Sequence, residues 1–124
     1  MKLFDSTVLI AHLRGTPDAT ALLRDAAAKS EAACSVLSRV EIEGGMRSSE
    51  RADVRRLFSA LHMAAVSDPV AVRAGELLRK YRSSHRAIEI VDYVIAATAE
   101  LMDAEFLTLN VKHFPMFKGL RPAF

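Results

Sequence analysis

Lys2-Leu3-Phe4-Asp5-Ser6-Thr7-Val8-Leu9-Ile10 sets one acid between two apolar runs. Lys2 to Phe4 reads as a short strand, and about Ser6 to Arg14 as a helix with Val8, Leu9 and Leu13 turned inward. Asp5 then stands at the carboxyl end of the strand, where a charge in apolar surroundings is costly unless it is paired or liganded. A strand that runs through an acid into a helix is the unit of a parallel α/β sheet.

The same alternation continues outward. Gly15 ends the first helix. Thr16-Pro17-Asp18 starts another, with Thr16 as cap, running to about Ser30. Ala32 to Val36 is predicted as a second strand, and Ser38 is predicted to open a helix through about Met46. Residues 49–60 form a helix with Val54, Leu57 and Phe58, then Leu61, on one face. His62 to Val66 is a third strand, and Ser67-Asp68-Pro69 caps a helix to about Tyr81. A polar loop from Arg82 to Arg86 precedes Ile88-Glu89-Ile90-Val91, and Asp92 begins a helix to about Met102. Phe106 to Leu109 is a fourth strand, with a short edge strand expected at Leu120 to Phe124. The fold class expected is α/β, with one domain over residues 1–124.

Composition narrows the rest. With 124 residues and 51% hydrophobic content the chain can bury a core without staples. Cys34 is the one cysteine, so no internal disulfide forms, which fits a reducing compartment. No run approaches the ~20 apolar residues of a membrane span, and Asp5 interrupts any leader-like start. A cytoplasmic protein without membrane contact is expected. The net charge of +2 is only weak evidence for a nucleic-acid partner.

Four polar residues fall where a ligand crevice lies, beyond the carboxyl ends of parallel strands. They are Asp5, Glu41, Asp92 and Asn110. Gathered carboxylates repel one another, and a hard divalent cation such as Mg²⁺ or Mn²⁺ offsets that repulsion. Plainer roles exist for three of them. Ser38-Arg39-Val40-Glu41 also reads as a capping box. Asp92 also reads as a helix cap, and Asn110 as a turn residue. No dense His/Cys cluster suggests a structural zinc site.

These segments also carry a resemblance. Phe4 to Ile10, Ser38 to Ile42, Asp92 to Ala99, and Leu107 to Phe114 with Gly119-Leu120 resemble, in order, the four motifs of PIN-domain nucleases, and in length most nearly the VapC toxins of bacterial toxin–antitoxin pairs. The resemblance implies a three-layer α/β/α sandwich around a parallel sheet. It implies a metal-dependent endoribonuclease acting on structured RNA such as tRNA or rRNA, a VapB-type antitoxin whose C-terminal segment occupies the active-site groove, and a homodimer. It places Asp5, Glu41 and Asp92 in the acidic core, with Asp5 and Asp92 holding the metal. Asn110 matches a fourth position as a neutral member, so one firmly held metal is expected rather than two.

Ser6 and Thr7 are expected to hold a ligand carboxylate from behind. Glu43, two residues from Glu41, points elsewhere on a helix and is read as a rim residue. Among the basic residues, Arg14, Arg39, Arg47, Lys80, Arg82, Arg86, Lys112 and His113 are candidate RNA phosphate contacts, with Arg39 and Lys112, near the acid positions in sequence, favoured. Haloacid-dehalogenase-type phosphatases need a second Asp two residues after the first, where this chain has Thr7. Receiver domains need paired N-terminal acids, which are missing as well. A PIN-like scaffold that only binds a partner is the non-enzymatic rival.

Overall fold

The computed structural model describes residues 1–124. Four strands, β1 (Lys2–Phe4), β2 (Ala32–Ser35), β3 (His62–Ala64) and β4 (Glu105–Leu107), form one parallel sheet in the order β3-β2-β1-β4. Six helices connect them: α1 (Ser6–Leu13), α2 (Pro17–Ala28), α3 (Val36–Gly45), α4 (Arg51–Ser59), α5 (Asp68–Tyr81) and α6 (Ile90–Met102). Short 3₁₀ turns cover Ser48–Glu50 and Val111–His113. The order reverses at β1, with β2 on one side and β4 on the other. The crevice of a parallel sheet therefore opens beyond the carboxyl ends of β1 and β4.

Alternation along each strand sorts the core into two layers. Leu3, Ala33, Ala64 and Phe106 face the layer built by α5 and α6. Phe4, Cys34 and Leu107 face the layer built by α1 to α4. The expected three-layer sandwich is therefore the one observed. Ala96, Ala97 and Ala99 are fully or almost fully buried, so the small side chains of α6 seat it close to the sheet. Phe106 and Phe114 meet edge-to-face in the same layer, at 4.6 Å between ring centres. Cys34 is buried, and burial pushes its thiol up to about 12. No helix is long and apolar enough to cross a membrane.

Several boundaries differ from expectation, with physical consequences. Helix α3 starts at Val36, because Ser35 at the strand end accepts the Leu37 N–H at 3.1 Å. Ser38 is thus inside the helix and fully buried, with its hydroxyl unpartnered. The capping box does not form, and Glu41 sits in the second turn rather than the first. Helix α6 starts at Ile90 instead of Asp92. Thr16 occupies its cap position without a side-chain bond. Strand β2 stops at Ser35, β3 at Ala64 and β4 at Leu107. The tail is no strand: Ala123 donates one N–H to Thr108 at 2.9 Å, and neighbouring Pro122 has no N–H to extend a ladder.

Leu77 is 2% exposed in α5 whereas Val72 on the same helix is 57% exposed. Leu77→Ala is expected to cost about 2–5 kcal/mol through the cavity it leaves. Val72→Ala is expected to stay within about 0.5 kcal/mol. Urea unfolding reads both as a shift in midpoint at unchanged slope.

Candidate active site

Asp5 stands between β1 and α1, at the cap position of α1, and it is 4% exposed. Its side chain makes no helix-cap bond. Instead Oδ2 accepts the Thr108 hydroxyl at 2.7 Å and the Thr7 hydroxyl at 2.9 Å. Each hydroxyl is itself oriented from behind: Thr7 Oγ1 accepts the Leu109 N–H at 3.0 Å, and Thr108 Oγ1 accepts the Asn110 N–H at 2.9 Å. A hydroxyl has one proton to give. Both protons go to Asp5, and the turn after β4 is thereby tied to the end of β1.

Electrostatics oppose this placement. Burial raises the Asp5 pKa above the ordinary carboxylate range. The Thr108 and Thr7 hydrogen bonds pull it down, and the charge of Asp92 adds to the rise. Glu41 is raised too, first by partial burial of its carboxylate and then by the charge of Asp5, while the Ser6 hydroxyl, donating to Oε1 at 3.3 Å, works the other way. Asp92 also contributes to the rise at Glu41. Asp5, Glu41 and Asp92 therefore share one electrostatic neighbourhood, although they come from the ends of the chain and its middle.

Asp92, in the first turn of α6, accepts the Glu89 N–H at 3.1 Å through Oδ2. The same oxygen lies 3.0 Å from His113 Nδ1. The cap role read from sequence is thus present, alongside a second contact. Asn110 is half-buried, and its carbonyl accepts the His113 N–H at 3.1 Å. Residues 108–113 consequently hold two acids at once, Asp5 through Thr108 and Asp92 through His113.

Ser6 and Thr7 hold carboxylates as expected. Lys112 is exposed beside His113. Arg39 is directed elsewhere: its guanidinium lies 4.8 Å over the Phe58 ring and 3.9 Å from Glu43, which takes up that rim residue. Thr108 went unnoticed in the sequence. Its signal was the one that marked Asp5, a polar residue within an apolar run, Phe106-Leu107-Thr108-Leu109. The His113 contact to Asp92 left no signal of its own.

All these donors are oxygens, which suits a hard divalent cation. Nowhere do three His, Cys, Asp or Glu side chains stand close enough to hold one ion between them. The set fits a cation that keeps several waters and does not fit a closed protein cage. Beside Glu41 a groove of about 540 Å³ runs between α1 and α3, lined by Ile10, Leu13, Arg14, Ile42, Met46 and Arg47 among others.

A family model described as "PIN domain" matches residues 2–115. Ribonuclease VapC10 of Mycobacterium tuberculosis is 48% identical over 124 residues, covering 100% of this chain and 93% of that protein. Ribonuclease VapC19 of the same organism is 48% identical over 125 residues, covering 100% of both. A solved toxin–antitoxin complex from Klebsiella pneumoniae superposes with a TM-score of 0.80 over 100% of this chain and 98% of that one. At 24% identity that likeness speaks for the fold alone.

The raised Asp5 pKa fixes a sign. The folded state binds this proton more tightly than the unfolded chain, whose aspartate titrates near ~3.9. The contribution is fully present below that value and is lost as pH rises through the raised folded one. Asp5→Asn is therefore expected to raise the melting temperature of metal-free protein at neutral pH and to narrow the gap at low pH. A melting temperature lowered at neutral pH would contradict it.

Proposed function

This chain belongs to the PIN-domain family and is a ribonuclease of VapC type, and from that premise we propose that it is the toxin of a toxin–antitoxin pair, cleaving RNA with Mg²⁺ or Mn²⁺ held by Asp5 and Asp92, with Glu41 beside them. The observation that carries the site is the buried Asp5 carboxylate, wired by two threonine hydroxyls and set against two further acids where the strand order reverses. Evidence for the toxin role comes from the named ribonucleases at 48% identity over the whole chain. Residues 1–124 act as one PIN unit in this reading.

Asp5 and Asp92 would hold the cation, and Glu41 and Asn110 would reach it directly or through water. Only the charged members repel one another, so one firmly held cation is expected rather than two. When bound, a divalent cation supplies charge neutralisation on the phosphate and eases deprotonation of the attacking water. The protein does the rest. Thr7 and Thr108 fix Asp5 by donating to Oδ2. Ser6 steadies Glu41, whose raised pKa suits a carboxylate that takes a proton at Oε1 or Oε2. His113 and the Glu89 N–H fix Asp92.

The groove beside Glu41 mixes apolar walls from Ile10, Leu13 and Met46 with both signs of charge, Glu41 and Glu50 against Arg14 and Arg47. That chemistry fits a peptide carrying apolar side chains flanked by charged ones, and the C-terminal segment of a VapB-type antitoxin is seated there. The protein works in the cytoplasm as a homodimer, and structured RNA such as tRNA or rRNA is its substrate class.

Incubation with total RNA tests the activity. Cleavage is expected with Mn²⁺ or Mg²⁺ and is expected to stop with EDTA; cleavage that survives chelation overturns the metal role. Asp92→Asn and Glu41→Gln are expected to abolish cutting with an unchanged circular dichroism spectrum. Thr108→Val removes a support of Asp5 and is expected to lower the rate roughly 10–100-fold. A Thr108→Ser variant, which keeps the hydroxyl, is expected to recover most of it.

A further inference from the structure

Positive charge is distributed unevenly along this chain. Residues 77–88 carry Arg79, Lys80, Arg82 and Arg86 and not one acid. Residues 106–124 carry Lys112, Lys118 and Arg121, again with no acid. The remaining residues hold ten Lys and Arg against all fifteen acids. The molecule is +2 as a whole, yet outside these two segments it is clearly negative.

The fold puts the first segment and residues 114–120 of the second on one side, while Ala123 and Phe124 turn to the α2 layer. Leu78 and Tyr81 at the end of α5, and Met116, Phe117 and Leu120 after the last 3₁₀ turn, pack against the same buried cluster, which contains Tyr93 and Phe114. Both segments also reach Asp92. The loop from Arg82 runs into Glu89, whose N–H donates to Asp92, and His113 approaches the same carboxylate from the other segment. All seven cations are exposed. None belongs to an ion pair; of the other ten, Lys2, Lys29, Arg39, Arg56 and Arg73 face carboxylates, while Arg14, Arg24, Arg47, Arg51 and Arg55 are unpaired too but share their segments with Asp18, Asp25, Glu50 and Asp53. Lys80 lies 5.3 Å over the Tyr81 ring, which leaves its charge unneutralised.

We infer that this face, from the end of α5 through the 82–88 loop and across residues 112–121, is the track along which the RNA backbone approaches Asp92. It lies on the Asp92 side of the acids, in the layer of α5 and α6, while the groove between α1 and α3 lies on the Glu41 side. The remainder of the chain is net acidic, with its own unpaired arginines interspersed among acids, so the acid-free concentration of cations on this face decides the direction of approach of a polyanion. Tyr81 and His85, edge-to-face at 5.5 Å, add ring surface of the kind on which bases stack. The inference rests on the ribonuclease reading and adds to it where the substrate lies.

The test measures binding of a fluorescein-labelled oligouridylate by anisotropy at several salt concentrations, in the Glu41→Gln background so that RNA is not consumed. Arg82→Gln/Arg86→Gln/Lys118→Gln is compared with Arg24→Gln/Arg51→Gln/Arg55→Gln, three exposed cations of α2 and α4. The first set is expected to weaken binding on the order of tenfold and to flatten the log–log salt slope by about two, as for three lost phosphate contacts on a single strand. The second set is expected to leave both near the parent values. Equal losses in both sets, or an unchanged slope in the first, overturn the track and assign the face to another partner. Cleavage of total RNA by the wild-type chain with Mn²⁺ is scored separately. Total RNA left uncut counts against the ribonuclease reading while leaving the track standing, and cutting at the wild-type rate by the first triple substitution, made with Glu41 intact, sinks the track alone.

Discussion

The cost of holding Asp5 charged inside the protein governs the arrangement around it. An isolated carboxylate loses several kcal/mol of effective solvation on burial, and this one is 4% exposed beside two other acids. The fold answers in two ways. Two threonine hydroxyls, one from α1 and one from the end of β4, give it their protons. Backbone N–H groups of Leu109 and Asn110 then set the direction of those hydroxyls. The remaining opposition still leaves the pKa raised, so the site is balanced in favour of a positive guest. Strand order makes this geometry possible, because β1 and β4 are neighbours only where the sequence of strands reverses.

Much of this was legible in the chain. Alternating apolar runs and amphipathic stretches gave the α/β class and its four strands, because burial on both faces imposes short apolar runs on parallel strands. Asp5 stood out because a charge amid Leu3, Phe4, Val8 and Leu9 needs a reason. Glu41 was harder. Its spacing from Ser38 imitated a capping box, and only the actual start of α3, capped by Ser35, removes that plainer role. Asp92 keeps its cap role and gains His113, so a sequence reading had to choose between functions that the structure shows together. Thr108 and His113 matter through partners about a hundred and about twenty residues away, a separation that no local pattern encodes. The expected edge strand at the C-terminus failed for a local reason, the missing N–H of Pro122.

The acid cluster also divides the surface. On the Glu41 side lies a groove with apolar walls. On the Asp92 side lie segments that concentrate seven exposed cations with no acid among them. On the proposed function, that division gives a peptide partner and a polyanionic substrate separate approaches to the same carboxylates. Residues 108–113 link the two, since they support both Asp5 and Asp92.

Anomalous diffraction from crystals grown with Mn²⁺ is the most direct measurement of whether these acids act together. One strong peak among the carboxylates of Asp5, Glu41 and Asp92 is expected in the wild-type chain, and its loss is expected in Asp5→Asn crystals. A Mn²⁺ ion lodged elsewhere, or a peak that persists unchanged without the Asp5 charge, would contradict the shared cation site.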